Sequence, residues 1–311
     1  MAGQLWVTSS QGQRLYSPLL MEEVLAASQP ELKFLQFCEE KEAFGKNKGE
    51  TFVFDKYGDV DNASTAGASN LTETSTIPSG SVLIYQGTGT LRERGISIPF
   101  TRKYTDLAQI EARKPLVNAL SDHYAKQTDA DVEAQFNACK IRYVGTTTSA
   151  GTFTTNGTAT LTCTSAFNNY HVQNMVDYLY GTMKAKPYDG DNYVAICCVA
   201  AKNAIYNAVE GIMKYTKYPA TGEFGRYYDC RFVKTNSAAM TNLFNTSYSG
   251  EVYMFGKSTV MYGMAVPMQV IPKEETDYRR SRGVAWYDIC GFKIKHEGDP
   301  DNTIVKWDSA A

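Results

Sequence analysis

Apolar and polar positions along this chain fall into segments of different period. Residues 51–57 (TFVFDKY) alternate, which predicts a strand, and 81–85 and 96–100 also read as strands. The stretch 58–80 (GDVDNASTAGASNLTETSTIPSG) has few large apolar side chains and cannot bury a core, so a long mobile loop is expected there. Between the later strands, 86–95 (QGTGTLRERG) reads as a flexible turn that ends in the charged cluster Arg92, Glu93 and Arg94. A two-stranded projection with so little core of its own needs something else to pack against, and a neighbouring subunit would serve. Upstream, residues 1–48 are mixed. Short helical patches at 21–27 and 32–42, punctuated by Pro18 and Pro30, suggest an extended arm rather than a domain.

Helical spacing follows the projection. Thr105 or Asp106 can cap a helix beginning at Leu107, and Pro115 then breaks or kinks it. Beyond it, Val117, Leu120, Tyr124, Thr128, Val132, Phe136 and Cys139 stand three or four apart and form one stripe. From Pro115 to Lys140 such a helix would be ~39 Å long. Residues 145–165 are rich in threonine, and Asn156-Gly157 between TFTT and TATLT predicts a β-hairpin with a type I′ turn. Val172, Met175, Val176, Leu179 and Met183 then mark a helix ending before Pro187, and 193–199 is a continuous apolar strand. Ile205, Val209, Ile212, Met213 and Thr216 mark another helix, and 227–234 another strand. The remainder is strand-like at 252–255, 268–271, 284–294 and 303–307. The fold class is therefore α+β, with an α/β unit whose sheet is covered by helices.

Composition narrows the function. The 311 residues exceed one small domain, and 43% hydrophobic content allows a sizeable core. A net charge of −2 excludes the strongly basic balance of a nucleic-acid coat. No apolar run is long enough to span a membrane, and the opening MAGQLWVTSSQGQR lacks the pattern of a signal peptide. The seven cysteines are odd in number and contain no C-x-x-C pair, which points to reduced thiols and not to structural zinc. Adjacent Cys197 and Cys198 could be a redox pair, but two small apolar residues in a buried strand is the simpler reading. Tyrosine is abundant at 21 and histidine scarce at 3. Rings with polar tips suit surfaces that become buried against partners.

The search for chemistry ends without a site. There is no phosphate-binding G-x-x-x-x-G-K-[ST] loop, no H-E-x-x-H and no G-x-S-x-G elbow. Asp122 and His123 fall on the polar face of the long helix, while His171 opens a helix and His296 follows a strand; a surface or packing role is expected of each histidine. The acidic pairs Glu22-Glu23, Glu39-Glu40 and Glu274-Glu275 read as solvated faces. Arg279, Arg280 and Arg282 could meet phosphates, but near-zero net charge favours inter-subunit salt bridges. The sequons at Asn62, Asn70, Asn156 and Asn245 are taken as chance. No catalytic residue, metal ligand or cofactor is expected.

Several short motifs, in order, resemble the major capsid protein of tailed bacteriophages, the Hong Kong type fold, and within it the short-tailed-phage (podovirus) branch. Leu71-Thr72-Glu73 with Thr76-Ile77-Pro78 is similar to the family's L-T-E-G-x-x-P stretch, with Thr74 in place of the glycine and an extra residue before the proline. Gly222-Glu223-Phe224-Gly225-Arg226, leading into Arg231-Phe232-Val233-Lys234-Thr235, resembles the G-E-x-G-R turn and R-F-V-x-T strand. Arg282-Gly283-Val284-Ala285-Trp286, followed by Gly291-Phe292, resembles the closing R-G-x-x-x-W strand. After the strand at 193–198 the sequence departs from the family's usual proline.

The resemblance implies an N-terminal arm at 1–48 and an extended loop at 49–103. It implies a peripheral domain from 104–165 and 266–311, and an axial domain at 166–265. It further implies hexamers and pentamers forming an icosahedral shell around double-stranded DNA, without sequence-specific contact and without membrane association. Portal, scaffolding and possibly decoration proteins would be partners, and assembly would occur in the host cytoplasm. Arg92, Glu93, Arg94, Arg279, Arg280 and Arg282 are the candidate inter-subunit contacts. Two alternatives stay open: an α/β enzyme with an atypical site, which a concave pocket with convergent perturbed groups would reveal, and a surface adhesin.

Overall fold

The computed structural model describes residues 33–41, 49–61, 73, 81–108, 113–159, 161–208, 223–235, 250–295 and 303–308. Thirteen strands within them form three sheets. They are β1 (Glu39–Lys41), β2 (Thr51–Asp61), β3 (Ser81–Thr90), β4 (Arg92–Thr101), β5 (Ile141–Thr147), β6 (Ala150–Thr154), β7 (Tyr193–Cys197), β8 (Glu223–Tyr227), β9 (Cys230–Lys234), β10 (Val252–Phe255), β11 (Val260–Pro272), β12 (Ser281–Ile294) and β13 (Ile304–Trp307). The helices are α1 (Arg102–Leu107), α2 (Arg113–Asn137), α3 (Asn169–Asp177) and α4 (Val199–Ala208). The architecture is α+β, as the pattern predicts.

The largest sheet has seven strands in the order β6-β5-β13-β10-β7-β9-β8. Its middle is buried on both faces: every residue of β7, β10 and β13 is buried. Such continuous burial explains why 193–197 and 252–255 read as runs and not as alternations. One cluster joins Phe136 on α2, Tyr143 on β5, Val172 and Met175 on α3, Ile196, Phe232 and Trp307. Strands from both sides of position 165 share this sheet, since β5, β6 and β13 lie beside β10, β7 and β9.

A second, four-stranded sheet runs β1-β11-β12-β4. The long helix α2 lies against it: Trp286 of β12 packs with Leu120, Phe100 and Tyr104, and with the half-buried Tyr124. The predicted stripe holds, because Leu120, Thr128, Val132 and Phe136 are all buried. Pro115 neither breaks nor kinks the helix; it is the third residue of α2, in the first turn, where a missing N–H costs nothing. The preceding helix starts five residues earlier than Leu107, and its cap is Thr101, whose hydroxyl accepts the Tyr104 N–H at 3.3 Å.

Other expectations are corrected. The patch at 32–42 is not helical beyond a single 3-10 turn, Leu35–Phe37, before β1 pairs in parallel with β11. Asp129 on α2 accepts the N–H groups of Phe34 and Leu35 at 2.9 and 3.2 Å and spends the turn's donors there. The patch at 21–27 and most of the loop at 58–80 lie outside the described residues, while 58–61 extend β2. Residues 86–95 are not a turn but the end of β3 and the start of β4. The glycines there serve close approach: Gly87 and Gly89 stand opposite Phe54 and Phe52, and a side chain at either would collide with the ring.

The hairpin does not turn at Asn156-Gly157. It turns at residues 148 and 149, between Thr147 and Ala150. Ring packing decides the register, since Phe153 stacks on Tyr178 at 4.0 Å and packs tilted against Tyr143 at 4.4 Å. Asn156-Gly157 is still a local turn: the Asn156 side chain accepts the Thr158 N–H, and Gly157, at φ +83°, donates to the Lys140 carbonyl. The strand expected at 227–234 covers 230–234 (β9); Tyr227 ends β8, and Tyr228 and Asp229 form the hairpin turn at φ 46° and 53°. Neither is glycine, so the sequence lacks the usual turn signal. The helix marked from Ile205 begins at Val199, and its stretch 209–216 lies outside the described residues.

Candidate assembly surfaces

Two projections leave the sheets. The first is the β2–β3 ribbon, a separate two-stranded sheet. At its root Phe52 and Phe54 pack with Leu91 and Met261. The pairing Val53↔Thr88 puts Val53, Val82 and Ile84 together on the other face. All three are exposed, Ile84 by 62%.

The second is the far end of β11 and β12. Val270 and Ile271 are exposed there, and the connecting turn places Asp277, Tyr278 and Arg279 all at positive φ. Tyr278 is 98% exposed. Arg279 and Arg282 both pair with Glu275, at 3.3 and 3.1 Å, and Lys273 bonds the Ser281 hydroxyl at 2.8 Å. The Arg280 carbonyl accepts the Arg102 N–H, which ties the arm to α1. The sequence picked out Arg279, Arg280 and Arg282 and missed Tyr278, whose exposure depends on the turn.

The cluster on β4 divides. Arg92 and Glu93 are exposed. Arg94 turns inward. It bonds both oxygens of buried Asp288 at 3.0 and 2.5 Å, Asp131 at 2.6 Å and Thr128 at 3.3 Å. These contacts lock α2, β4 and β12 together, and the carboxylates hold the guanidinium well above its ordinary pKa despite burial.

Two grooves run beside these parts. One, about 610 Å³, lies between Thr88, Arg92, His123, Asp131, Trp286 and Lys293. The other, about 640 Å³, lies under Gly49, Glu93, Gln269 and Tyr287. The most perturbed histidine is in neither. His171 is fully buried between Tyr143 (hydroxyl 3.0 Å from Nδ1) and Ser165 (hydroxyl 3.2 Å from Nε2). Burial pushes its pKa down to about 4. It is a packing residue against Trp307, ring centroids 4.8 Å apart. His123 is exposed, and its Nδ1 accepts the Trp286 indole N–H at 3.3 Å. His296 lies outside the described residues.

The cysteines are free thiols, all but Cys38 fully buried. Burial raises Cys197 and Cys230 well above the ordinary thiol value. Adjacent Cys197 and Cys198 are therefore core residues and do not form a disulfide. Among the described residues no group of His, Cys, Asp and Glu could hold a metal ion, and no helix is long and apolar enough to cross a membrane.

The chain matches no protein-family description and no curated protein. Solved structures do match. The capsid of Ralstonia phage GP4 superposes with TM-score 0.69 at 12% identity, covering 94% of each chain. The capsid asymmetric unit of cyanophage Pam1 gives 0.68 at 14% identity over 100% of each chain. The acid-stable capsid of Helicobacter pylori bacteriophage KHP30 gives 0.64 at 12% identity, covering 98% and 97%. Matched over nearly its whole length, this chain has the major capsid fold of tailed bacteriophages.

Proposed function

We propose that the chain is a major capsid protein of a tailed phage, of the short-tailed branch, that self-assembles into hexamers and pentamers of an icosahedral shell around double-stranded DNA. The observation that carries this reading is the whole-chain fold likeness to phage capsids, at 100% coverage of both chains in one case. The exposed apolar face of the ribbon supports it, because Val82 and Ile84 would gain burial on another subunit. A shell subunit has no reaction to catalyse. Its task is to bury surface against several neighbours, each interface ~1,600 Å² when of standard size, so that many contacts close the shell.

On this reading 1–48 is the N-terminal arm, 49–103 the extended loop, 104–165 with 266–311 the peripheral domain and 166–265 the axial domain, whose seven-stranded sheet also takes in β5, β6 and β13. Arg92, Glu93, Arg279, Arg280 and Arg282 lie at subunit contacts, whereas Arg94 holds its own subunit together. DNA is enclosed without base recognition, and portal, scaffolding and decoration proteins are the partners during assembly in the host cytoplasm. Expression with a scaffolding partner should give shells or capsomers by electron microscopy and light scattering. A strictly monomeric product under those conditions would overturn the reading.

A further inference from the structure

The four-stranded sheet has two faces, and α2 lies against one of them. Along β12, Trp286 and Asp288 turn toward the helix: Trp286 packs on Leu120, and Asp288 holds Arg94. Side chains alternate in a strand, so Tyr287 and Ile289 point the other way. The register sets Gln269 and Val266 of β11 and Glu93 of β4 beside them on that second face. There they line the groove of about 640 Å³, over an apolar floor that includes Ile289 and Val266. Among the described residues, the charged ones that line it are Glu50 and Glu93, both acidic and both exposed. An occupant that fits carries an apolar or aromatic side chain for the floor and a cation for the rim.

The chain carries that pattern at the far end of the same hairpin. Among the described residues Tyr278 is the most exposed large apolar side chain, at 98%. Arg279 and Arg280 follow it directly. Arg279 is tied to Glu275 of its own turn, as is Arg282, whereas Arg280 is exposed. Asp277, Tyr278 and Arg279 all stand at positive φ, a conformation that costs non-glycine residues energy and that recurs where a side chain must be aimed. The turn is braced by the Arg280 N–H, which donates to the Asp277 carbonyl at 2.9 Å, and by the Ser281 N–H, which donates to the Thr276 carbonyl at 3.2 Å. The ring is therefore presented on a turn that is already ordered, which lowers the entropy lost on binding.

We propose that this tip docks in the groove of a second copy of the chain, with the Tyr278 ring on the floor beside Ile289 and Val266 and Arg280 against Glu93. The contact deepens the shell reading and rests on it for the supply of neighbouring copies. The tip does not reach the groove of its own chain. A strand rises ~3.3 Å per residue, so the end of β11 at Pro272 is already ~20 Å from Val266 and runs away from it, with the tip beyond. A contact between two different patches is heterologous, and its repetition closes into rings of copies when the rotation allows. Opposite charge thus pairs two of the candidate contacts that the sequence offered separately, Glu93 on β4 and Arg280 beyond β11.

The test puts one cysteine on each side of the contact, Asp277→Cys and Gln269→Cys, in the full chain. The protein is oxidised during expression with the scaffolding partner and run on non-reducing gels. The chain with both cysteines should give a ladder of joined copies beyond the dimer, and a chain with either alone no more than dimers. Adding Tyr278→Ser, Glu93→Arg or Arg280→Glu to the double-cysteine chain should each weaken the ladder about tenfold, and Glu93→Arg together with Arg280→Glu should restore it. All three positions are exposed, so none of these changes empties the core. No ladder where the wild type forms shells overturns the contact and leaves the shell reading in place. A ladder where the wild type forms no shells does the reverse, and neither ladder nor shells overturns both. A ladder that survives the single charge reversals, or that the paired reversal does not restore, overturns the part given to Arg280 and Glu93.

Discussion

The seven-stranded sheet and the β2–β3 ribbon use the same residue types to opposite ends. In the sheet, three strands in succession are buried on both faces, and Trp307, His171 and Tyr143 fill each other's gaps. In the ribbon, Phe52 and Phe54 anchor the root while Val53, Val82 and Ile84 face outward. One region satisfies its own surface, and the other keeps surface in reserve. The lesson is that exposure of an apolar residue acquires meaning from its company: three on one face of a ribbon without a core are a contact, where one alone would be ordinary.

The comparison breaks most sharply in the sheet. Replacing Trp307 with alanine leaves a cavity beneath His171, Tyr143 and Phe167 and should destabilise the chain by about 3–5 kcal/mol, read from denaturant unfolding. A loss below about 1 kcal/mol would mean that the sheet tolerates voids and is not the stable half.

Acid should act on the same region. His171 is buried neutral with its pKa lowered to about 4, chiefly by desolvation, against 6.5 in the unfolded chain. The unfolded state therefore binds the proton more readily, so stability is full above pH 6.5, falls by about 3 kcal/mol as pH drops from 6.5 to 4, and loses no more from this group below 4. Unfolding measured across that range in wild type and His171→Asn would isolate this share. An equal slope in both would remove His171 from the account.

The ribbon should show the reverse. Val82→Ser with Ile84→Ser changes exposed positions and should alter subunit stability by less than about 0.5 kcal/mol. Assembly, followed by light scattering and electron microscopy, should nevertheless fail. Normal shells from this variant would show that the face is not a contact.

Much of this contrast was legible in the residues. Alternation in 51–57 and the continuous runs at 193–197 and 252–255 reported burial on one face or two, because side-chain direction in a strand is set locally. The stripe from Leu120 to Phe136 did the same for the helix. Turn chemistry misled where packing outweighed it. Asn156-Gly157 is a turn, yet the hairpin closes elsewhere because Phe153 must reach Tyr178 and Tyr143. The glycines of 86–95 looked like flexibility, and they are clearance for two phenylalanine rings on the opposite strand.

The candidate contacts divide along the same line. Charge clusters are visible in sequence, but whether a charge faces solvent or a partner depends on residues far away. Arg94 sits two positions from exposed Arg92, which puts both on one face of a strand. It is spoken for because Asp288, 194 positions later, and Asp131 on the long helix converge on it. Tyr278 carried no signal until the turn between β11 and β12 set three successive residues at positive φ.

The chain's own order of residues determined its α+β class, the long helix, the buried strands and the lack of a metal or catalytic motif, since periodicity and short motifs are local properties. Strand order, the hairpin register and the fate of Arg94 were decided by folding. Each depends on contacts between positions a hundred or more residues apart, or on a register chosen by ring packing, and neither is written in local spacing.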